Sequence, residues 1–293
     1  MTTPAVAHTK TNHHMKTLQI LLCLVLLATA CEKEISIDLG TTSPRLVVEG
    51  NVLAGIDTVI NVQTLRLTAT APYTGTAMPA PVINATVSVL EGSTIHPYTH
   101  RGSGLYQSTF VAQPGKTYTL RIAHQGDTYQ ASETIQTGPP IQSLGIKYFP
   151  SALGSPEGDF IVVNTTDPAE DRNFYFWRLF INGTLMINPS PGNIYRALQK
   201  DEFFNGQPLT NYLPYDNFRV IKGDRAVMEQ YSISEAMYNY HYALFNLTAS
   251  SPVSGDVPPG NIRGNVINLS NRQRDALGFF GACSVSIKTK KVD

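Results

Sequence analysis

Three cysteines, seven histidines and a set of acidic side chains carry the chemical capacity of this 293-residue chain, and their spacing keeps most of them apart. Cys23 lies inside an uncharged run and Cys31 at its end, so Cys283, in the segment GFFGACSVSI, is left without a partner for an intramolecular disulfide. A lone cysteine in an alternating apolar segment, with no histidine nearby, reads as a small buried side chain and not as a nucleophile. His96 and His100, in HPYTH, would share one strand face. Two imidazoles without a third ligand hold a metal weakly, and Pro97 with the neighbouring turn reads as an exposed edge. His124 and His241 stand alone and read as surface or packing residues. Asp167, Glu170 and Asp171 could gather a calcium ion with backbone carbonyls. They lack the alternating Asp-x-Asp-x-Asp-Gly pattern, and the other reading of DPAEDRN is an exposed turn. No nucleophile elbow, phosphate loop, dinucleotide fingerprint, His-Glu-x-x-His helix or paired Cys-x-x-Cys occurs. No catalytic residue, metal or cofactor is therefore expected. A hydrolase would have to draw on the carboxylates Asp201, Glu202 and Asp224 of the second half.

Two surface features remain. YNYHYALF sets Tyr238, Tyr240 and Tyr242 at alternate positions of a predicted helix, so they cannot share one face. Tyr240 falls on the stripe of Met237 and Leu244. Tyr238 and Tyr242 lie on another face, and either pack beneath neighbouring loops or form a partner or glycan surface. The triplet Asp57-Thr58-Val59 fits a short pattern for O-glycosylation at Thr58.

The elements that would position these residues begin after a leader. From Leu18 to Ala30 the run LQILLCLVLLATA carries no charge, and Lys16 precedes it. That is a positive region followed by an apolar region, too short for a comfortable membrane span of roughly 20 residues. With the small residues Ala28, Thr29 and Ala30 leading into Cys31, it is similar to a bacterial lipoprotein signal, in which the cysteine becomes the lipid-carrying N-terminus after cleavage. Ala28 stands where such signals usually place Leu, and the alternative is an ordinary secretory signal with a coincidental cysteine. MKTLQILL, from Met15, reads as the natural start, which removes His13 and His14 as ligands. Residues 1–30 are thus expected to be a signal peptide and 31–43 a lipidated tether. Glu32, Lys33 and Glu34 give that tether a charged start similar to a surface-export signal.

Lys plus Arg and Asp plus Glu both number 22, so no basic field exists to attract nucleic acid. Short runs in which apolar side chains alternate, such as Tyr118, Leu120 and Ile122, recur between Gly and Pro turns. Seven of them between Arg45 and Ile135 predict a β-sandwich over residues 44–137. The double proline in QTGPPIQSLGI marks the boundary to a second β-rich domain, 138–293. There FYFWRLFING reads as a strand entering an Asn-Gly hairpin, and FRVIKGDRAVMEQYSI as a hairpin turning at Gly223 and Asp224. A helix is expected over about 234–247, capped by Ser232 with Glu235.

The phrases PVINATVSV, GLYQSTF and PGKTYTLRI together resemble immunoglobulin-like or transthyretin-like modules of bacterial surface proteins. That resemblance bears on fold and not on chemistry. Further on, DEFFNG, SISEAMYNYHYAL, PPGNIRGN and ALGFFGACSV, with the opening CEKEISIDL and RLVVEG, resemble a family of Bacteroidota lipoproteins known as domain of unknown function 4249. The resemblance implies a cell-envelope lipoprotein anchored in the outer membrane, often encoded beside TonB-dependent receptors. It implies no catalytic residues, and it leaves open the ligand and the side of the membrane that the protein faces. The expected function is a non-enzymatic binding or accessory module working with such a receptor in uptake, with an envelope hydrolase acting on glycans or peptides as the alternative. Within the shared phrases, Gly206 and Gly223 read as turns and Asn261 and Asn265 as loop amides that satisfy backbone groups.

Overall fold

Alternation of apolar side chains produces strands along most of the chain. The structure, a computed structural model, describes residues 43–71, 78–152, 156–169, 172–186, 197–249 and 262–293. Cys23, Cys31, the charged start 32–34, Glu170, Asp171 and Asn261 lie outside the described residues. In chain order the first strands are β1 (Leu46–Gly55), β2 (Val62–Ala69), β3 (Ala80–Pro81), β4 (Thr86–Glu91), β5 (Thr94–Gly102), β6 (Leu105–Thr109), β7 (Thr117–His124) and β8 (Asp127–Thr134). β9 (Ser143–Phe149), β10 (Gly158–Thr166), β11 (Phe174–Ile181), β12 (Thr184–Met186) and β13 (Leu198–Lys200) follow, then a 3-10 turn at Asp201–Phe203 and β14 (Pro208–Tyr212). β15 (Arg225–Ser232), the helix α1 (Glu235–Ala249), β16 (Ile267–Asn268), a 3-10 turn at Arg272–Arg274 and the long β17 (Leu277–Lys291) complete the described elements.

The fold is mainly β, built from one large mixed sheet and a smaller one. The large sheet runs β12-β11-β15-β17-β1-β2-β6-β5-β4-β7-β8-β16, with β13 on β11 and β3 on β2, and the smaller is β14-β10-β9. β17 lies parallel to β1, Val48 opposite Gly278 and Val52 opposite Ala282. It is antiparallel to β15 on its other side. The ladder thus runs unbroken across the double proline, and Gln136 bridges Cys283 on the same strand. Ser43–Asp293 forms one compact unit.

β5 changes partners along its length: Thr94–Tyr98 pair with β4, and Thr99 to Gly102 with β6. Val48, Leu65 and Tyr106 on one side of that change share a core with Val87, Leu120 and Ile122 on the other. Pro97 is tolerated within the sheet because, among the described residues, its half of β5 has β4 as its one ladder neighbour. A second core lies between the smaller sheet and β11 and β15, where Ile161, Val163, Trp177, Leu179 and Met228 meet. The opposite face of β11, β15 and β17 carries α1, with Phe174, Tyr231, Ile233, Met237, Phe279 and Cys283 in a third core.

Two local expectations need correction. Phe218–Ile233 is not a hairpin: Val220 bridges Asp159 of β10, while β15 pairs with β11 and β17. The cap of α1 is Ser234, whose Oγ accepts from the Met237 N–H at 3.1 Å. Ser232 is still in β15, opposite Ser284, and so cannot cap. The Asn-Gly hairpin stands as read: Asn182 (φ 51°) and Gly183 (φ 82°) join β11 to β12 with the two positive φ angles that a type I′ turn requires.

Candidate functional site

The acidic residues proposed for chemistry are occupied by the fold. Asp167 is buried, not exposed in a turn: it accepts from Tyr175 Oη at 2.5 Å and from the Gly206 N–H at 2.9 Å. Burial, with the nearby Asp201, raises its pKa. Asp201 is also buried and accepts from the Asn173 N–H at 2.8 Å. Glu202 turns outward to Lys200 Nζ at 2.7 Å and Arg172 at 3.5 Å. Asp224 closes the 221–225 turn, accepting from the Ile221 N–H at 2.9 Å and Asn182 Nδ2 at 2.8 Å. Along β11, Lys200 pairs with Phe174 and Ala226 with Ile181. That separation of seven residues, about 23 Å at strand rise, keeps Asp201 and Glu202 from Asp224. A glycosidase pair needs its carboxyl groups within about 10 Å.

The histidines do not converge either. His96 stacks on Phe110 at 3.8 Å between centroids and lies 3.6 Å from Glu91, while His100 tilts against Tyr106 at 5.2 Å. Both are half-buried on the inward side of β5, alongside Tyr98, and neither sits on an exposed face. His241 stacks on Phe176 at 5.1 Å and Phe245 at 5.9 Å. Burial and the Arg178 guanidinium depress its pKa to about 4. Burial pushes the Cys283 thiol well above its usual range, with Glu133 adding to the effect. No group of three or more His, Cys, Asp or Glu side chains gathers as a metal site among the described residues.

Thr58 lies exposed in the bend after β1. The neighbouring Asp57 straps that bend to β17, accepting from Ser286 Oγ at 2.8 Å and the Ile287 N–H at 3.1 Å, with Lys288 Nζ at 3.3 Å. Asn265 serves as a backbone surrogate: its carboxamide donates to the Phe280 carbonyl at 2.8 Å and accepts from the Phe280 N–H at 2.9 Å.

An aromatic patch forms where α1 crosses β11. Tyr238 and Tyr242 lie near-parallel, 6.1 Å between centroids and 18° between planes, as their i and i+4 positions allow. Tyr238 also tilts onto Phe174 at 5.2 Å and is half-buried, whereas Tyr242 is 38% exposed. Arg172 lies over Phe174 and reaches Glu202 and Glu235 at 3.5 and 3.4 Å, and Lys200 extends the line of alternating charges from Glu202. Phe203, next to Glu202, is 94% exposed, the largest exposure among the apolar side chains of this region. Arg172, Lys200 and Phe203 carry no motif. The paired phenylalanines of DEFFNG were the available sign, Phe204 packing inward and Phe203 outward.

A cleft of about 610 Å³ opens at the other end of β11, between the Asn182–Gly183 hairpin, the start of β10 and the 217–224 segment. Met186, Phe218 and the 70%-exposed Ile221 give it apolar walls, and Asp159, Asn217 and Arg219 give it polar ones.

No curated protein matches the chain. A family model described as "Domain of unknown function (DUF4249)" matches residues 32–289, almost to the end of β17. The match spans both halves of the large sheet as well as α1, the aromatic patch and the cleft, and the chain belongs to that family.

Proposed function

We propose that this protein is a lipid-anchored, non-enzymatic binding or accessory module of the bacterial outer membrane, working beside a TonB-dependent receptor in uptake. The observation that carries the reading is the aromatic patch on α1, with Tyr238 and Tyr242 as the partner surface. Its charges are already balanced by Arg172, Lys200, Glu202 and Glu235. Exposed aromatic side chains inside a polar rim are the usual anatomy of a protein-binding hot spot. The dispersal of Asp201, Glu202 and Asp224 into structural contacts speaks against a hydrolase.

In this reading Cys31 carries the lipid, residues 32–43 are the tether, and the family is one of Bacteroidota lipoproteins. Residues 44–137 form an immunoglobulin-like or transthyretin-like sandwich, to which 138–293 adds a second β-rich domain and lends β17. The shared core on both sides of the β5 partner change supports the sandwich. Thr58 is proposed as an O-glycosylation site, supported by its exposure in the bend that Asp57 holds. Intact mass of the native protein checks the glycan, and labelled palmitate checks the lipid. Cys31→Ser is expected to abolish the label and move the chain from the membrane to the soluble fraction. Unchanged membrane association of a label-free variant would overturn the anchor.

A further inference from the structure

We infer that the cleft beside the Asn182–Gly183 hairpin is a binding site for a neutral saccharide. Three features of its wall converge on that class. The first is an orphaned acceptor: Asn217 Oδ1 is buried and has no hydrogen-bond partner among the described residues. A buried amide oxygen without a donor costs stability, and a turn of the Asn217 side chain toward the cleft would let a ligand hydroxyl satisfy it. The second is an adjacent pair of opposite charges held apart. Asp159 is exposed at the start of β10 and makes no ion pair or hydrogen bond through its carboxylate among the described residues. Arg219 lies across Gly158, where an added Cβ would come within 2.7 Å of Arg219 Cδ, and reaches the Glu157 carbonyl at a long 3.4 Å. The glycine therefore gives the arginine stem its path along the cleft rim. The third is a fixed apolar wall. Phe218 is backed by Tyr215 at 6.0 Å between centroids, and Tyr215 is anchored by donating to the Trp177 carbonyl at 2.7 Å.

A vicinal diol needs acceptors and donors side by side together with a surface for its C–H face. Asp159 and Asn217 Oδ1 would accept, Arg219 would donate, and Phe218 would supply the surface. The Asp159 and Arg219 charges cancel, which favours a neutral sugar over an anionic one. Asp224 on the same wall is already occupied by Asn182 and the Ile221 N–H, so it leaves no second free carboxylate to select a cation.

Calorimetry and ligand-observed NMR on the full chain test the assignment, with maltoheptaose, cellohexaose, xylohexaose, mannohexaose and chitohexaose as probes and n-butylamine as the cationic comparison. At least one saccharide is expected to saturate, and Asp159→Ala and Asn217→Ala are each expected to weaken it about tenfold, the effect of losing one or two hydrogen bonds. Melting temperatures taken alongside separate a lost contact from a lost fold, and Phe218→Leu provides a variant that keeps the wall apolar while removing the ring. Ile95→Ala, exposed on β5 and outside the cleft wall, is expected to leave saccharide binding unchanged. Saturation by n-butylamine alone, no saturation by any saccharide, or binding indifferent to Asp159 and Asn217 would each overturn the proposal.

Discussion

His241 shows how a side chain with catalytic potential becomes a packing residue. Phe176 and Phe245 enclose its ring, and Arg178 lies near enough to oppose a second positive charge. Its pKa falls from 6.5 to about 4 in the folded chain, so the unfolded chain binds this proton more readily. The sign follows from linkage: the contribution to stability is present above pH 6.5 and is lost progressively as pH falls to about 4. His241→Phe is expected to flatten the decline of unfolding free energy with acid in that window, measured by urea denaturation from pH 7.5 to 4. Asp57 has the same sign at lower pH. Burial works to raise its pKa, but the Ile287 N–H, the Ser286 hydroxyl and Lys288 outweigh it and hold the carboxyl below 3.8. Little of this was legible in the residue types. Asp167 reads as part of an exposed acidic turn because its neighbours are polar, yet Tyr175, eight positions on, supplies a buried hydroxyl that draws it inward. Asn217 and Arg219 sit in a segment without motif or periodicity, and the cleft exists because β10 and the Asn182–Gly183 hairpin approach them from elsewhere in the chain.

Elements with a local signal were legible, and those fixed by distant partners were not. The alternation of Tyr118, Leu120 and Ile122 marks β7, and Asn-Gly marks the β11–β12 turn. The helix was read to within a few residues, but its cap was displaced from Ser234 to Ser232 because β15 runs on until it meets Ser284. Ser234→Ala is expected to cost about 1 kcal/mol by chemical denaturation. Ser232→Ala is expected to be neutral or slightly stabilising, because Ser232 Oγ is buried without a partner among the described residues. A Ser232 variant as damaging as Ser234 would contradict the assigned cap. The parallel pairing of β1 with β17 had no local sign, since it joins residues some 230 positions apart in the chain. Gly278 makes it feasible: its φ is 85°, and an added Cβ would lie 2.0 Å from the Val48 carbonyl oxygen. Gly278→Ala is expected to destabilise by about 3 kcal/mol or more, combining left-handed strain with displacement of the ladder. Gly183→Ala carries a similar φ of 82° but meets nothing within 4 Å, so strain alone, about 1 kcal/mol, is expected. Equal losses at the two glycines would show that the β1–β17 contact does not govern the cost.

For the whole molecule, β17 makes the two halves interdependent. One face of the β11, β15 and β17 region carries α1 and the aromatic patch, and the cleft opens at the far end of β11 from Lys200 and Glu202. The proposed partner surface and the proposed ligand cleft, on one β scaffold, fit an accessory protein better than a catalyst. The most direct measurement is purification of the full chain from native membranes in gentle detergent, comparing the unaltered protein with the double variant Tyr238→Ala, Tyr242→Ala. A TonB-dependent receptor is expected to accompany the unaltered protein, and the folded, lipidated double variant is expected to lose it. Recovery of the lipidated protein without any envelope partner, or equal recovery of the receptor by both forms, would contradict the proposed function.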